Sequence, residues 1–214
     1  MNIIKKAKRV FNSTVFLQAS LKAFELDDRI MNEKYGLQVK QLDYNNDSDL
    51  EIWMQIIHTS YDDCHFTLES ARNYLINHPY LTNTISFVFT EKDIPVATIS
   101  IGRYKENMLI GGAFRLGVIK SAQGHGYGRL SLLYAVSKLA TFGLKYVESA
   151  VMFKRKESLY LHYALGFHPQ YNIKYLADRS VHPWYRNLNF ILNIRLKHSY
   201  ESFLRNERKK YIAR

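Results

Sequence analysis

Three extended segments in close succession, followed by a glycine turn and an amphipathic helix, constrain the fold of this chain more than any other feature. The segments are TISFVF (84–89), PVATISIGRY (95–104) and MLIGGAFRLGVIK (108–120). They are rich in β-branched or aromatic residues, and the turn-like stretches TEKDIP and KEN separate them. This spacing predicts an antiparallel meander that places the glycine turn at the end of its third strand.

The hydrophobic periodicity of the flanking segments completes the predicted architecture. Helices are predicted within 49–61, 66–81, 127–143 and 156–165, and further strands at 36–44, 144–153, 170–176 and 188–196. The order predicts an α+β (α/β three-layer) fold with a mixed, mostly antiparallel central sheet of about seven strands and helices on both faces. On the helix at 127–143, the residues expected to face the core are Leu130, Leu133, Val136, Leu139 and Ala140.

Both ends of the chain are predicted to add helices to this domain. Residues 1–24 combine basic and apolar positions at helical spacing, which predicts an amphipathic helix. Its apolar face would hold Ile3, Ala7, Val10, Phe11, Thr14, Leu17, Leu21 and Phe24. The predicted organisation is therefore an N-terminal amphipathic helical extension (1–35), a central domain (36–197) and a basic C-terminal helix (198–214).

The charge of the chain is concentrated at its ends. Residues 1–10 carry a net +4 and residues 195–214 a net +5, out of +11 for the whole chain. A solvated helix face is the simpler interpretation, so contact of these ends with nucleic acid or an anionic membrane is an alternative that we do not favour. Long terminal helices would also suit the arm of a homodimer.

The cysteine content and the hydropathy of the chain limit the kinds of protein that it can be. Cys64 is the only cysteine, which excludes an internal disulfide framework and a cysteine-based metal site, and we expect no metal. The sequence has no run of 18 apolar residues, and polar residues interrupt the N-terminal apolar stretch where a signal peptide would need none. These features favour a cytoplasmic location.

The glycine turn has the composition of an anion-binding site. Its sequence is Gln123-Gly124-His125-Gly126-Tyr127-Gly128, between a predicted strand and a predicted helix. The first N–H groups of a helix lack internal partners, the helix dipole is positive there, and glycine lets the backbone approach a ligand. The pattern matches neither a P-loop nor a Rossmann fingerprint. A plain tight turn would use the same glycines.

Two motifs in this chain resemble those of the GCN5-related N-acetyltransferase (GNAT) family. Residues 123–128 match the Gln/Arg-x-x-Gly-x-Gly/Ala motif of that family, placed after a strand and before a helix. Downstream, RKESLYLHYALGF (155–167) is similar to Asn-x-x-Ala/Ser-x-x-Leu-Tyr-x-x-x-Gly-Phe. Arg155 replaces the asparagine and His162 the tyrosine. The resemblance covers residues 37–196, about 160 residues by the predicted element order.

The resemblance implies that acetyl-CoA is the co-substrate. Backbone groups of Leu116, Gly117 and Val118 would bind its pantetheine arm like an added strand. Gln123 would either start the pyrophosphate cradle or cap the turn, and Tyr127 would pack under the helix. The implied cofactor-binding residues of the cradle and the second motif are Gln123, Gly124, His125, Gly126, Tyr127, Gly128, Arg129 and Ser158.

The resemblance also implies direct attack of an amine on the thioester, with a side-chain acid for the leaving thiolate. His162 stands where the family has its tyrosine and is the first candidate for this acid. Tyr163 and Tyr160 are alternative candidates, and a reaction with no side-chain acid is a further alternative. Glu106, Glu148 or a water chain could accept the proton of the amine. Arg103 and Arg115 could meet a phosphate or an acidic acceptor.

The predicted function is transfer of an acetyl group from acetyl-CoA to a primary amine of a small molecule, peptide or protein within a ternary complex. The alternative is a catalytically weak or inactive GNAT-fold module that binds acyl-CoA, or that works through its basic ends on nucleic acid or membrane.

Overall fold

A computed structural model describes residues 14–21, 26–62, 64–169 and 195–207 of the chain. The chain forms two compact units. We call residues 20–147 the meander unit, and residues 1–19 with 148–214 the terminal unit.

The meander unit contains the predicted sheet. Its strands are β2 (Leu37–Gln41), β3 (Leu81–Glu91), β4 (Ile94–Tyr104) and β5 (Ile110–Val118), each antiparallel to the next. Lys92 and Asp93 form the two-residue loop between β3 and β4, both at positive φ, as a tight hairpin turn requires. The predicted antiparallel meander is confirmed.

Helices cover both faces of this sheet. They are α1 (Asp28–Tyr35), α2 (Asp47–Ser60), α3 (Leu68–Ile76) and α4 (Tyr127–Thr141). On β3, Phe87 and Phe89 pack edge-on against Tyr134 of α4, whereas Val88 belongs to a core cluster with Trp53 of α2. Successive side chains of a strand point to opposite faces, so α2 and α4 lie on opposite sides of the sheet.

The terminal unit contains most of β1 (Thr14–Ser20) and of β6 (Tyr146–Met152), and all of α5 (Lys156–Ala164) and β7 (His168–Pro169). The boundary between the units falls after Ala19 in β1 and before Glu148 in β6. β1 pairs antiparallel with β7, with Leu17 opposite Pro169. Residues 195–202 are helical, and a π-helical turn, Phe203–Glu207, follows. Phe203 packs against the rings of Tyr160 and Tyr163 on α5.

Two sequence predictions at the ends of the chain are corrected here. Residues 14–20, predicted as part of an amphipathic helix, form β1, and Val15, Leu17 and Ala19 are buried with the period of two that a strand requires. The predicted strand 188–196 ends in residues 195–196 that are helical. The other predictions for the ends of the chain lie outside the described residues. They concern residues 1–13, the predicted strand 170–176, residues 188–194 of the last predicted strand, and residues 208–214.

The buried face of α4 also differs from the prediction. Val136 and Leu139 are buried as predicted, but Leu130, Leu133 and Ala140 are only half-buried. Tyr134 takes a core position instead because its ring is apolar and its hydroxyl bonds Asp28 of α1 at 2.5 Å. No helix within the described residues is long and apolar enough to cross a membrane.

Candidate functional site

The glycine turn forms a cradle of backbone N–H groups at the N-terminus of α4. Gly124 and Gly126 have φ of 85° and 87°, in the left-handed region that favours glycine. The first helical hydrogen bonds are those of Arg129 and Leu130 to the Gly126 carbonyl, at 3.0 and 3.1 Å. No hydrogen-bond partner for the N–H groups of residues 124–128 occurs among the described residues. Five successive donors are therefore available to an anion.

The N-terminus of α4 has neither the side-chain cap nor the acidic residues that α2 and α3 have at their N-termini. Asn46 caps α2, and Thr67 caps α3 in a reciprocal capping box with Ser70. The N-cap of α4 is Gly126, which has no side chain that could accept a hydrogen bond from the first turn. That turn also contains no acidic residue. The positive pole of this helix is thus left for a ligand.

Two further observations fit a phosphate group at this position. The Nε–H of Arg129, in the first turn of α4, is buried and has no hydrogen-bond partner among the described residues, a costly state for a charged group. A Cβ added at Gly124 or Gly126 would meet no protein atom within 4 Å, so both positions border open space. The backbone donors and the open space beside Gly124 and Gly126 are those that a phosphate group needs.

The other side chains of the cradle are partly structural. Gln123 is exposed, and its Nε2 donates to the Val118 carbonyl at 3.1 Å, which is the predicted capping role. His125 is exposed and its ring stacks on that of Tyr127. Tyr127 is buried, and desolvation, with Glu91 nearby, raises the pKa of its hydroxyl. Tyr127 therefore packs under the helix, as the sequence predicted.

The end of β5 presents backbone groups away from β4. Ile119 donates to the Val96 carbonyl at 3.0 Å, and Val118 and Gly117 lie opposite Ala97 and Thr98. Because hydrogen-bonding direction alternates along an antiparallel pair, Gly117 faces β4, whereas the backbone groups of Leu116 and Val118 face the other edge.

Side chains from the C-terminal end of α2 already bind this edge. The Tyr61 hydroxyl donates to the Leu116 carbonyl at 2.5 Å. The Ser60 hydroxyl has a single proton, which lies between the Ile56 carbonyl at 2.6 Å and the Val118 carbonyl at 3.0 Å. The Val118 carbonyl accepts from the Gln123 amide and shares the Ser60 proton with Ile56, whereas the Leu116 carbonyl accepts one donor and retains one lone pair. No sequence signal marked Ser60 or Tyr61, because their partners lie 58 and 55 residues away.

A β-bulge next to this edge holds Arg115 in an unusual conformation. The register between β4 and β5 shifts after Thr98, and Arg115 has φ of 53°. A non-glycine residue in this region carries a backbone cost of about 1–2 kcal/mol. The bulge places the consecutive side chains of Phe114 and Arg115 on the same face, where both contact Tyr74, whereas a regular strand would separate them.

The Arg115 guanidinium lies in a cluster formed by α3 and the loop after α2. Its Nε donates to the Tyr74 hydroxyl at 3.2 Å and its Nη1 to the Cys64 sulfur at 3.0 Å. The guanidinium carbon lies 4.9 Å from the ring centre of Tyr74 and 5.4 Å from that of Phe66. These contacts fix the cation against two aromatic faces.

His78 completes the aromatic side of this cluster. Its ring packs on Phe114 with 4.6 Å between ring centres, and its Nδ1 accepts from the N–H groups of Tyr80 and Leu81. Burial, with the charges of Lys105 and Arg115, lowers the pKa of His78 to about 4. His78 is therefore neutral at pH 7.

The predicted acid His162 is a buried, fully hydrogen-bonded residue of the terminal unit. Its Nδ1 lies 2.7 Å from the Ser158 carbonyl, which can only accept, and its Nε2 lies 2.9 Å from the Ser149 hydroxyl. Burial lowers the pKa of His162 to about 4. The ring is thus neutral at pH 7, with its proton on Nδ1, and this arrangement does not support the predicted role as an acid.

The remaining predicted residues divide between the two units. Ser158 lies on α5, and its carbonyl holds His162; Tyr163 is buried among the rings of Tyr160, Tyr200 and Phe203. Glu148 is buried in β6. Glu106 is exposed in the turn before β5, at the opposite end of that strand from the cradle. At about 3.3 Å per residue, it lies too far along β5 to act near Leu116.

The described residues contain no group of three or more His, Cys, Asp or Glu side chains that could hold a metal ion.

Solved structures with the same fold exist, although sequence comparison finds no relative. No protein-family model matches the chain, and no curated protein matches it. A protein assigned to the GNAT family of acetyltransferases, from Novosphingobium aromaticivorans, superposes with a TM-score of 0.52 at 10% identity. A conserved protein of unknown function from Staphylococcus epidermidis superposes with a TM-score of 0.53 at 14% identity.

These matches extend over most of the chain. The first covers 74% of this chain and 61% of the other protein, and the second 78% and 63%. The chain therefore spans about three fifths of each of these structures. The likeness confirms the predicted fold, the mixed α+β fold of the GCN5-related N-acetyltransferases, which the two sequence motifs had indicated.

Proposed function

We propose that this chain transfers an acetyl group from acetyl-CoA to a primary amine. The observation that carries the proposal is the cradle: five successive N–H groups, residues 124–128, have no partner among the described residues, at the N-terminus of a helix that has no side-chain cap. A pyrophosphate is the part of coenzyme A that such a cradle would hold.

The direction of the bound co-substrate follows from the order of the parts. With the pyrophosphate at residues 124–128 and the pantetheine arm along the edge of β5, the arm runs from Val118 toward Leu116. The Leu116 carbonyl is the expected acceptor for an amide N–H of the arm, because the Val118 carbonyl already accepts the Gln123 amide and shares the Ser60 hydroxyl proton. The thioester end would therefore lie next to Leu116.

The reaction requires little covalent chemistry from the protein. The amine nitrogen forms a bond to the thioester carbonyl carbon, the carbon–sulfur bond breaks, and the thiolate leaves. The amine loses a proton and the thiolate gains one. His162 holds its proton on Nδ1 toward the Ser158 carbonyl, so we assign both transfers to solvent.

The same observation about His162 favours a second candidate, a GNAT-fold module that binds acyl-CoA without turnover. Release of coenzyme A in the presence of a panel of primary amines separates the two candidates. Acetyl-CoA binding without amine-dependent release would support the binding module.

Calorimetric titration with acetyl-CoA tests the cradle, using wild type and Gly126→Asp. We expect micromolar binding by the wild type and at least a tenfold loss in the variant, because a carboxylate would point into the phosphate site. Gly143→Asp is the matched control: Gly143 ends α4 with φ of 72°, and a Cβ there also meets nothing within 4 Å. This control carries the same charge and a similar backbone cost at the other end of the helix.

Equal loss of binding in both variants would assign the effect to folding or net charge and overturn the cradle. Absence of binding by a folded wild type would overturn the proposed function itself.

A further inference from the structure

Arg115 lies where the acyl group would lie. In the proposed arrangement the arm would run along the β5 edge from Val118 to Leu116, and Arg115 is the next residue beyond Leu116 in that direction. The bulge turns its side chain to the face that carries α2 and α3. Tyr61, which bonds the Leu116 carbonyl, begins the loop that contributes Cys64 and Phe66 to the guanidinium cluster. The thioester end and the guanidinium therefore share one part of the meander unit.

The guanidinium of Arg115 retains hydrogen-bonding capacity. It has five N–H donors, and two of them are directed at Tyr74 and Cys64. No carboxylate among the described residues lies within 4 Å of it. Asp62, in the same loop, pairs with Lys120 at 3.3 Å instead. A fixed cation with three remaining donors and no acidic partner in the described chain is suited to an anionic group of a ligand.

We propose that Arg115 determines acceptor specificity by binding a carboxylate, so that the acceptor is an amine that also carries a carboxylate group. The inference rests on the proposed function, since it names the class of acceptor at the same site. The acceptor carboxylate would pair with the guanidinium, and its amine would then be directed at the thioester beside Leu116.

The geometry favours a carboxylate over a doubly charged group. The planar guanidinium matches the two oxygens of a carboxylate. The other basic group in the cluster, His78, is buried, and its Nδ1 is occupied by two backbone donors. Lys105 is exposed, and its ammonium bonds the His78 carbonyl. A single fixed cation balances a single negative charge.

The test compares paired acceptors on the full chain. Each pair is a primary amine that carries a carboxylate and the same amine as its carboxamide, with chains long enough to leave the amine basicity unchanged; a phosphonate of equal length is the third member. Acetyl transfer is followed by coenzyme A release, and binding of each acceptor without acetyl-CoA is measured by calorimetry. The variants are Arg115→Gln and Arg115→Lys.

We expect the wild type to prefer the carboxylate over the carboxamide by about 10- to 100-fold in kcat/KM, the range for a hydrogen bond to a charged group. In Arg115→Gln this preference should fall to about 1, through a raised KM for the carboxylate alone. Arg115→Lys should keep part of it, because the charge stays and the planar pairing is lost. Acetyl-CoA affinity should be unchanged in both.

Arg103→Gln is the matched control. The sequence suggested that Arg103 could meet a phosphate or an acidic acceptor. It lies instead on β4, with its guanidinium bonded to the Phe142 carbonyl at 3.2 Å, at the C-terminal end of α4 and not at the cradle. This variant also removes one positive charge from the meander unit, and it should keep the carboxylate preference of the wild type.

Several outcomes would overturn the inference. With acetyl-CoA bound and turned over, equal use of carboxylate and carboxamide, or preference for the phosphonate, overturns the carboxylate and leaves the proposed function standing. If acetyl-CoA does not bind, the proposed function fails, and the acceptor titrations decide the anion site by themselves: carboxylate affinity lost in Arg115→Gln supports it, and equal affinity overturns it.

Discussion

His162 illustrates how far a single residue can be interpreted from a motif. The motif register is local, and α5 forms where it was predicted. The environment of the side chain depends on Ser149, 13 residues earlier in β6, whose hydroxyl binds Nε2. The sequence places a histidine at that register but contains no signal for this partner. The turn formed by Gly124 and Gly126 could be predicted, because their positive φ is a matter of local backbone conformation.

A substitution series at His162 separates a structural from a catalytic role. His162→Gln can still donate to the Ser158 carbonyl and accept from Ser149, so we expect it to lower the free energy of unfolding by only about 1 kcal/mol. His162→Leu leaves two buried groups unpaired and should cost about 2–4 kcal/mol. Urea unfolding at pH 7 measures both. A loss of acetyl transfer above 100-fold in a stable His162→Gln would show instead that the ring acts in the reaction.

Among elements, those with strong local periodicity were predicted and those that depend on distant partners were not. β3, β4 and β5 combine β-branched residues with turn signals, and they form as predicted. β1 was predicted as part of a helix because the apolar residues of 1–24 recur at helical spacing, whereas in the structure it pairs with β7, about 150 residues further along the chain. The bulge at Arg115 has no sequence signal, since glycine would be the usual residue at its positive φ.

The packing of α4 on β5 depends on glycine at position 111. A Cβ there would lie 2.7 Å from Leu139 Cδ2 and 2.9 Å from Leu144 Cδ1, both in buried side chains. We expect Gly111→Ala to lower the free energy of unfolding by about 1–3 kcal/mol through overpacking.

A double-mutant cycle with Leu139→Ala tests this contact. Leu139→Ala alone should cost about 2–5 kcal/mol because it leaves a cavity. Part of that cavity would accept the new methyl group, so Gly111→Ala should cost less in the Leu139→Ala background than in the wild type. Urea unfolding of the four proteins measures the coupling. Strict additivity would mean that the two side chains do not compete for the same space.

At the scale of the whole molecule, two buried histidines among the described residues, one in each unit, contribute to the response to acid. Burial is the main cause that lowers the pKa of both His78 and His162 to about 4. In the unfolded chain each would titrate near 6.5. Between pH 6.5 and pH 4 the unfolded state therefore binds protons that the folded state does not. The free energy of unfolding is highest above pH 6.5 and falls as the pH decreases toward 4.

The contribution of His162 to this loss can be isolated by difference. A fully buried histidine with this shift contributes about 3 kcal/mol between pH 7 and pH 4. Urea unfolding of His162→Gln across that range should therefore lose about 3 kcal/mol less than the wild type. His65→Gln is the control, because His65 is exposed, and its profile should follow the wild type. Paired carboxylates do not produce this difference. The Tyr134 hydroxyl is the main cause that holds the pKa of Asp28 below its ordinary value. Burial raises the pKa of Asp49, but the hydrogen bonds from Lys40 and the Asp43 N–H outweigh burial and lower it. Their stabilisation is lost only at lower pH and is the same in both proteins.

Parallel profiles for wild type and His162→Gln would mean that the ring is protonated in the folded state, and they would restore His162 as a candidate acid.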